Sequence, residues 1–529
     1  MKDSKKNTGS YYTPSYLVSF ISERVLSHFR NRARISLLEP SVGDGAFISE
    51  LEKEENININ LTALDINKVE LETASKKWNR KTALFLETDF LEYSSTKQYS
   101  SIIGNPPYVK KNILTPRQIE LSKEIHSNEN LTEASVKNIW TTFLVKSNTL
   151  LAKNGILAFV LPSELLQVKF AEEIREYLKK EFERIEIFTF NDLMFECKGQ
   201  DTIVLFAYKK SDSKGEYFAN INSRETLEKN SFVLKNNDLL VSSKIKWTHH
   251  FLSSDELTFI DNLKKELRDV NHYSESKPGI VTAANKFFII DKKTEKQYNL
   301  SKYTKPIIQK GQFVNGSVVF NNEDFQKLED KKRPTQLLQL NDNDKISKKL
   351  REYLDIGELE EIPNRHKCKI RNNWYVIPNI AEKPDAFFFK RSHLYPKLLK
   401  NNSNAFVTDS AYKVGMRNGY DLNSFIYSFY NTLTLLLTEL DGRYYGGGVL
   451  ELIPSEFKKL SIPYVEINHC QFEKFTTDFE NKSNIEQILN QNDSNILSST
   501  LGINYENLQK LTEIRNKLIK KRLREYANA

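Results

Sequence analysis

The first 210 residues alternate strand-like and helix-like segments, and nothing else in the chain restricts its fold as much. Apolar residues recur at helical spacing over 17–29, and a short strand is expected at 35–39. A helix over 46–53, a strand at 61–66, a helix over 67–78 and strands at 83–87 and 101–104 follow. After a polar stretch, 110–137, come a helix over 138–152, a buried strand at 155–162 and a helix over 170–182. Strands at 185–190 and 202–208 end the series. Seven strands joined by helices predict an α/β fold: a doubly wound, mostly parallel, Rossmann-like sheet.

Near Lys209-Lys-Ser-Asp-Ser-Lys-Gly215 the composition turns polar and the alternation stops, which places a domain end at residue 212. Residues 240–465 mix short β-like runs, such as 318–320 and 374–377, with long polar loops, and predict a separate mixed α+β domain. Residues 466–529 read as a helical segment. Leu508, Leu511, Ile514, Leu518 and Leu523 form its apolar stripe beside a basic face, which would dock on the preceding domain or touch a polyanion. A chain of 529 residues is too long for one core, so division is expected. The net charge of +8 is uneven. Lys and Arg number 29 against 28 Asp and Glu over residues 1–210, and 48 against 41 beyond. That places the excess where a polyanion would be met. No run of about 18 apolar residues exists, so no membrane partner is expected. Residues 1–6 lead into polar residues rather than an apolar secretory signal. Cys197, Cys368 and Cys470 lie too far apart for a disulfide framework or a zinc pattern, which fits a reducing cytoplasm and no metal.

Chemistry concentrates at the strand ends. Asn105-Pro106-Pro107-Tyr108 closes the run Ser101-Ile-Ile-Gly104. The two prolines fix φ and remove two backbone donors, leaving an amide oxygen, carbonyls and an aromatic face at the carboxyl end of a strand. In open α/β sheets ligands bind at that end. Acceptors beside a flat plate suit a flat substrate bearing an amino group; read alone, the tetrapeptide is equally an ordinary Pro-Pro turn with a packed Tyr. Glu39 ends the first strand, Asp65 the second, and Asp89 follows the third. Between the first strand and its helix lies Pro40-Ser-Val-Gly43-Asp-Gly45, whose small residues let backbone amides approach a ligand. It lacks the GxGxxG spacing and carries no Walker lysine. An acid after the second strand can accept from ribose hydroxyls. One after the third can accept from an adenine amino group, with Phe90 available to stack.

In their order, Thr8-Gly9-Ser-Tyr-Tyr12-Thr13-Pro14, Glu39-Pro-x-x-Gly43-x-Gly45-x-Phe47, the acids at 65 and 89, and Asn105-Pro-Pro-Tyr108 resemble the gamma-class N6-adenine DNA methyltransferases of type II restriction-modification systems. The resemblance is specific over residues 7–210. It is looser at Gly446-Gly-Gly-Val449 and Pro454-Ser-Glu-Phe-Lys-Lys459, which look like segments of their C-terminal recognition domains. It implies S-adenosylmethionine as cofactor, double-stranded DNA as partner, and a modification enzyme acting beside a separate restriction endonuclease. The cofactor-binding residues so implied are Thr8, Gly9, Tyr12, Thr13, Glu39, Pro40, Ser41, Gly43, Gly45, Asp65, Ile66, Asp89, Phe90 and Asn105. Thr13, Glu39 and the 41–45 backbone would hold the methionine end, Asp65 the ribose, and Asp89 with Phe90 the adenine. The catalytic set is Asn105, Pro106, Tyr108 and Phe195. Hydrogen bonds to Asn105 Oδ1 and the Pro106 carbonyl would make the adenine nitrogen more pyramidal for direct attack on the methyl group. Tyr108 and Phe195 would sandwich a base flipped from the duplex. Phe188 and Phe190 are expected in the core.

DNA contacts are expected from Lys110, Lys198, Asn285, Lys286, Arg365, Lys369, Arg371, Arg391 and Arg443, where cations and amides alternate with aromatics. An ordinary solvated face with snorkelling side chains is the competing reading of each cluster. Asn-Pro-Pro-Tyr also serves enzymes that methylate glutamine amides or the guanine amino group of RNA. The long basic C-terminal part disfavours the former, which are much shorter. Cytosine N4 is the alternative target, and a catalytically inactive DNA-binding protein the alternative of another class. Because the first motif begins near residue 8, no N-terminal nuclease is expected.

Overall fold

The structure is a computed structural model and describes residues 13–80, 82–191, 201–236, 246–314, 316–378, 380, 382–445, 447–481 and 484–524. Two compact units emerge. The first comprises 1–257 with 445–447 and 523–529, and the second 258–444 with 448–522.

The first unit is built on one sheet. Its strands are β1 (Arg34–Glu39), β2 (Asn58–Asp65), β3 (Ala83–Glu87), β4 (Tyr99–Gly104), β5 (Leu151–Pro162), β6 (Arg184–Phe190), β7 (Thr202–Tyr208), β8 (Gly215–Ile221) and β9 (Lys235–Asn236). They lie in the order β3-β2-β1-β4-β5-β7-β6-β8-β9. Neighbours from β3 to β5 run parallel, while β7 is antiparallel to both β5 and β6. The chain moves outward from β1 to β3 and then returns to β4, so the order reverses between β1 and β4. A crevice opens at that switch, at the carboxyl ends of the strands.

Among the described residues this sheet has nine strands, not seven. The polar run after 208 is a connection rather than an end. Beyond it β8 pairs in parallel with β6 over seven residues and β9 closes against β8, so the sheet continues past residue 212. A helix also stands where only a polar stretch was expected. It is α4 (Pro116–Asn128), which follows α1 (Ser15–His28), α2 (Ala46–Leu51) and α3 (Lys68–Ser75) and precedes α5 (Ile139–Leu150) and α6 (Glu172–Glu181). Thr115 and Gln118 close a capping box at the start of α4, with proline at its first turn. The other helices stand within a few residues of their expected positions.

Helices cover both faces of the sheet. Along β5, Leu157, Phe159 and Leu161 enter one apolar layer with Phe90, Tyr108, Trp140 and Phe143. The alternate residues Ile156, Ala158 and Val160 enter the other with Ile21, Ile48 and Leu71. This period of two on a strand buried from both sides explains its continuous apolar run. Phe188 and Phe190 are core residues, as expected. Gly45 takes φ +77°, and a Cβ there would lie 2.8 Å from Ala74 of α3. The turn from β1 into α2 therefore requires glycine at this position.

In the second unit, β10 (Ser274–Pro278), β11 (Val319–Phe320), β12 (Ala386–Phe389), β13 (Lys397–Asn401) and β14 (Ala411–Met416) form a sheet in the order β10-β14-β12-β13-β11. A four-stranded sheet uses Ile289–Ile290, Gln336–Leu338, Thr304–Ile308 and Phe406–Val407. Residues 374–377 are not a strand. The Trp374 ring packs against Phe287, and its carbonyl accepts from Arg371 at 3.1 Å. Helices α7 (Leu422–Phe429), α8 (Thr432–Asp441), α9 (His469–Glu480), α10 (Ile485–Asp493) and α11 (Tyr505–Leu523) complete the fold. Leu511, Ile514 and Leu518 of α11 are buried, as its stripe predicts. Its basic face is only partly solvated. Arg515 is buried and bonds both oxygens of Glu486 at 2.9 and 2.8 Å, and the buried Arg522 bonds Glu439 at 2.7 and 2.8 Å. Among the described residues, no helix is long and apolar enough to cross a membrane.

Candidate active site

The crevice at the switch point is a cleft of about 160 Å³. Thr13, Glu39, Pro40, Ser41, Gly43, Asp65, Ile66, Asp89, Phe90 and Asn105 all line it. Residues from the ends of four strands thus meet, and Thr13, 92 positions before Asn105, joins them from the segment ahead of α1. Gly45 shapes the turn beneath the cleft. Thr8, Gly9, Tyr12, Phe195 and Lys198 lie outside the described residues. Asp44, Thr88, Pro107, Gln118, Ile139 and Phe143 also line the cleft. Apart from Asp44, which belongs to the 41–45 loop, none of these was expected there. Only Gln118 had a readable signal, the Thr-Pro-x-Gln helix start.

Each acid is held differently. Asp65 Oδ2 accepts from the Gly43 amide at 2.9 Å and Oδ1 from the Asn67 amide at 2.8 Å, which ties the 40–45 loop to the end of β2. Asp89 Oδ1 accepts from the Leu91 amide at 2.8 Å and Oδ2 from Gln118 Nε2 at 2.9 Å. Glu39 is 1% exposed, and among the described residues its Oε2 has no hydrogen-bond partner. Burial, and then the charges of Asp44 and Asp65, push its carboxyl well above the usual carboxylate range. An acid so placed favours a cationic donor that takes the proton's place.

Asn105 is oriented from both ends. Its Nδ2 donates to Thr13 Oγ1 at 3.2 Å, and its Oδ1 lies 2.9 Å from the Tyr108 hydroxyl. That hydroxyl also lies 3.1 Å from the Val160 carbonyl, and its one proton serves one acceptor at a time. Tyr108 is 9% exposed and packs in the core beside Phe143, Pro106 is buried, and Pro107 faces the cleft. Beyond the tetrapeptide Lys110 is exposed.

The residues fit S-adenosylmethionine. Glu39 offers an ammonium its Oε2, which has no hydrogen-bond partner among the described residues, and Gly43 leaves open space where a Cβ would stand. Ile66, 65% exposed, with Phe90 and Phe143 provides apolar surface for a flat ring.

In the second unit the expected DNA-contacting residues fall in two groups, one where the 365–371 segment meets 281–286 and one at Arg391 and Arg443. Lys286, Arg365 and Lys369 are exposed, and Arg365 donates to the Ala283 carbonyl at 3.2 Å. Asn285 Oδ1 accepts from the Thr282 hydroxyl. Arg371 donates to the carbonyls of Thr282 and Trp374 at 2.9 and 3.1 Å. Arg391 pairs with Glu451 at 2.9 Å, and Arg443 with Glu456 at 2.9 Å. A cavity of about 680 Å³ gathers Arg371 with His366, Lys367, Lys413 and Asp342. Of the expected cations it includes Arg371 alone.

Residues 15–195 match the family model of the Eco57I restriction-modification methylase. Residues 244–497 match that of the C-terminal domain of the type II methyltransferase M.Eco57I. The chain is 24% identical over 483 residues to the type II methyltransferase M.AccI of Acinetobacter calcoaceticus, a match spanning 86% of this chain and 85% of that protein. It is 27% identical over 258 residues to the type II methyltransferase M.HincII of Haemophilus influenzae, spanning 48% of this chain and 47% of that protein. The fold resembles that of the type IIL restriction-modification enzyme MmeI, solved in complex with DNA. The TM-score is 0.57 at 12% identity, over 95% of this chain and 75% of that one. The chain therefore carries Eco57I-type restriction-modification methylase domains and is homologous to type II methyltransferases.

Proposed function

We propose that this chain is a gamma-class, site-specific DNA methyltransferase that modifies N6 of an adenine flipped from duplex DNA, and so protects host DNA from a separate restriction endonuclease. The observation that carries this reading is the convergence of Glu39, Asp65, Asp89 and Asn105 on one cleft at the switch point of the sheet. DNA is the substrate class of this reading, as MmeI was solved in complex with DNA. S-adenosylmethionine, when bound, supplies an electrophilic methyl group on a sulfonium centre. Glu39 accepts from an ammonium, Asp65 from ribose hydroxyls and Asp89 from an exocyclic amino group. Asn105 Oδ1 and the Pro106 carbonyl accept from the two N–H groups of the target amine, whose lone pair is otherwise delocalised into the ring. Thr13 holds the Asn105 amide so that its nitrogen faces Thr13 and its oxygen the opposite side. In this reading Phe195 stacks on the base, while Tyr108, packed in the core, orients Asn105 Oδ1 through its hydroxyl. A rise in rate then comes from positioning and from oriented dipoles, with no covalent intermediate. The unit that carries the nine-stranded sheet, which runs past residue 212 to β9, forms the catalytic domain in this reading, and the second unit, with its C-terminal helices, the target-recognition domain. Exposed Lys286, Arg365 and Lys369 are the leading phosphate contacts.

The test is to treat unmodified duplex DNA with the purified chain and S-adenosylmethionine, digest it and identify the modified nucleoside. N6-methyladenine at a single sequence context is expected. N4-methylcytosine would preserve the chemistry and overturn the substrate, and no modified nucleoside in any sequence context would overturn the activity.

A further inference from the structure

We propose that Gln118 is a positioning residue for Asp89, and that the pair selects a ring bearing an exocyclic amino group over its 6-oxo counterpart. This rests on reading the cleft as a cofactor site. Gln118 lies 29 residues after Asp89, in the first turn of α4, and both line the cleft. Its amide has a fixed sense. Oε1 accepts from the Thr115 amide at 3.2 Å, and Thr115 Oγ1 in turn accepts from the Gln118 amide at 3.2 Å. Turning the side-chain amide round would break this capping box, so the nitrogen is the end that faces Asp89. There Nε2 donates to Asp89 Oδ2 at 2.9 Å while the Leu91 amide donates to Oδ1 at 2.8 Å. The carboxylate is held by one donor on each oxygen, in one rotamer, beside the apolar surface of Ile66, Phe90 and Phe143.

A flat ring against that surface meets Asp89 as an acceptor at its edge. An amino group complements it. A 6-oxo group sets lone pair against lone pair at this partly buried edge and leaves it unpaired, which discriminates against that ring. Without Gln118 the Asp89 carboxylate loses a donor that both orients it and offsets its charge.

The experiment is isothermal titration of the full chain with S-adenosylhomocysteine and with S-inosylhomocysteine, for the wild type, Gln118→Glu and Gln118→Met. Glutamate at this position still closes the capping box, so Gln118→Glu keeps the helix start while removing the donor to Asp89. The wild type is expected to prefer the adenosyl ligand by at least tenfold. Both variants are expected to weaken the adenosyl ligand by about tenfold or more while leaving the inosyl ligand within about threefold, so the preference contracts. Gln118→Glu, which sets a second carboxylate against the first, is expected to have the larger effect. A parallel loss for both ligands would indicate a structural role only and overturn the inference, as would an unchanged ratio. Failure of the wild type to bind S-adenosylhomocysteine would overturn the cofactor reading itself, a result distinct from either.

Discussion

The strand-end cleft of the first unit and the cationic clusters of the second differ in what their polar side chains touch. In the first, Glu39, Asp65, Asp89 and Asn105 sit where a parallel sheet ends, and topology directs all four into one cavity. In the second, Arg371 holds backbone carbonyls, and Arg391 and Arg443 hold the carboxylates of Glu451 and Glu456. A motif tied to strand ends thus carries its own geometry, because the sheet fixes where each residue must stand. A cluster of cations carries only a charge, and the nearest carboxylate or carbonyl determines its use.

Asn105→Ala should separate the two regions most sharply. We expect methyl transfer to fall by about 10²–10³-fold, the scale on which loss of one oriented polar group acts on a transition state. Affinity for S-adenosylhomocysteine should stay within about threefold. Single-turnover transfer of a labelled methyl group, with titration of the product ligand, checks both; transfer near the wild-type rate would remove Asn105 from the chemistry.

The converse holds for Arg443→Met. Its side chain is 13% exposed and that of Glu456 12%, so removing the cation leaves a largely buried carboxylate without this partner. A loss of about 2 kcal/mol in denaturant unfolding is expected, with the salt dependence of DNA binding unchanged. If stability is retained and the slope of log affinity against log salt falls by about one, Arg443 contacts phosphate and the contrast between the regions fails at this residue.

Part of this arrangement is legible in the sequence alone. β1 to β7 were legible because β5 and its neighbours are apolar on both faces and the connecting helices keep a regular period. Gly43, Gly45 and the three acids were legible because their chemistry is local to a strand end. α4 was not, since charged residues such as Arg117, Lys123 and Glu124 mask a narrow apolar face on which Leu121 is the buried hydrophobic. β8 was hidden behind a polar connection that looks like a boundary. The inward turn of Arg515 and Arg522 depends on carboxylates 29 and 83 positions away, a distance over which no local pattern informs. Tyr108 shows the same limit at short range. Its aromatic character is plain in the sequence, but its burial and its hydroxyl contacts with Asn105 and Val160 arise from packing.

Glu39 offers the smallest but most specific test of the cleft. Burial raises its carboxyl well above 4.5, so in the ligand-free protein the neutral form persists as pH rises past that value. Its contribution to stability is full below the unfolded-state value and is lost as pH rises through the raised one. An ammonium-bearing ligand pairs with the carboxylate, so binding must release the proton wherever the free protein holds it. Affinity for S-adenosylhomocysteine should therefore increase with pH, by at most about tenfold per unit, and level off above the raised value. Glu39→Gln should bind more weakly with a flat profile over the same window. Titrations in buffers of differing ionisation enthalpy count the proton directly. A flat wild-type profile with no proton released would show that Glu39 does not receive the ammonium, and would leave the first region with one strand-end acid engaged no differently from the arginines of the second.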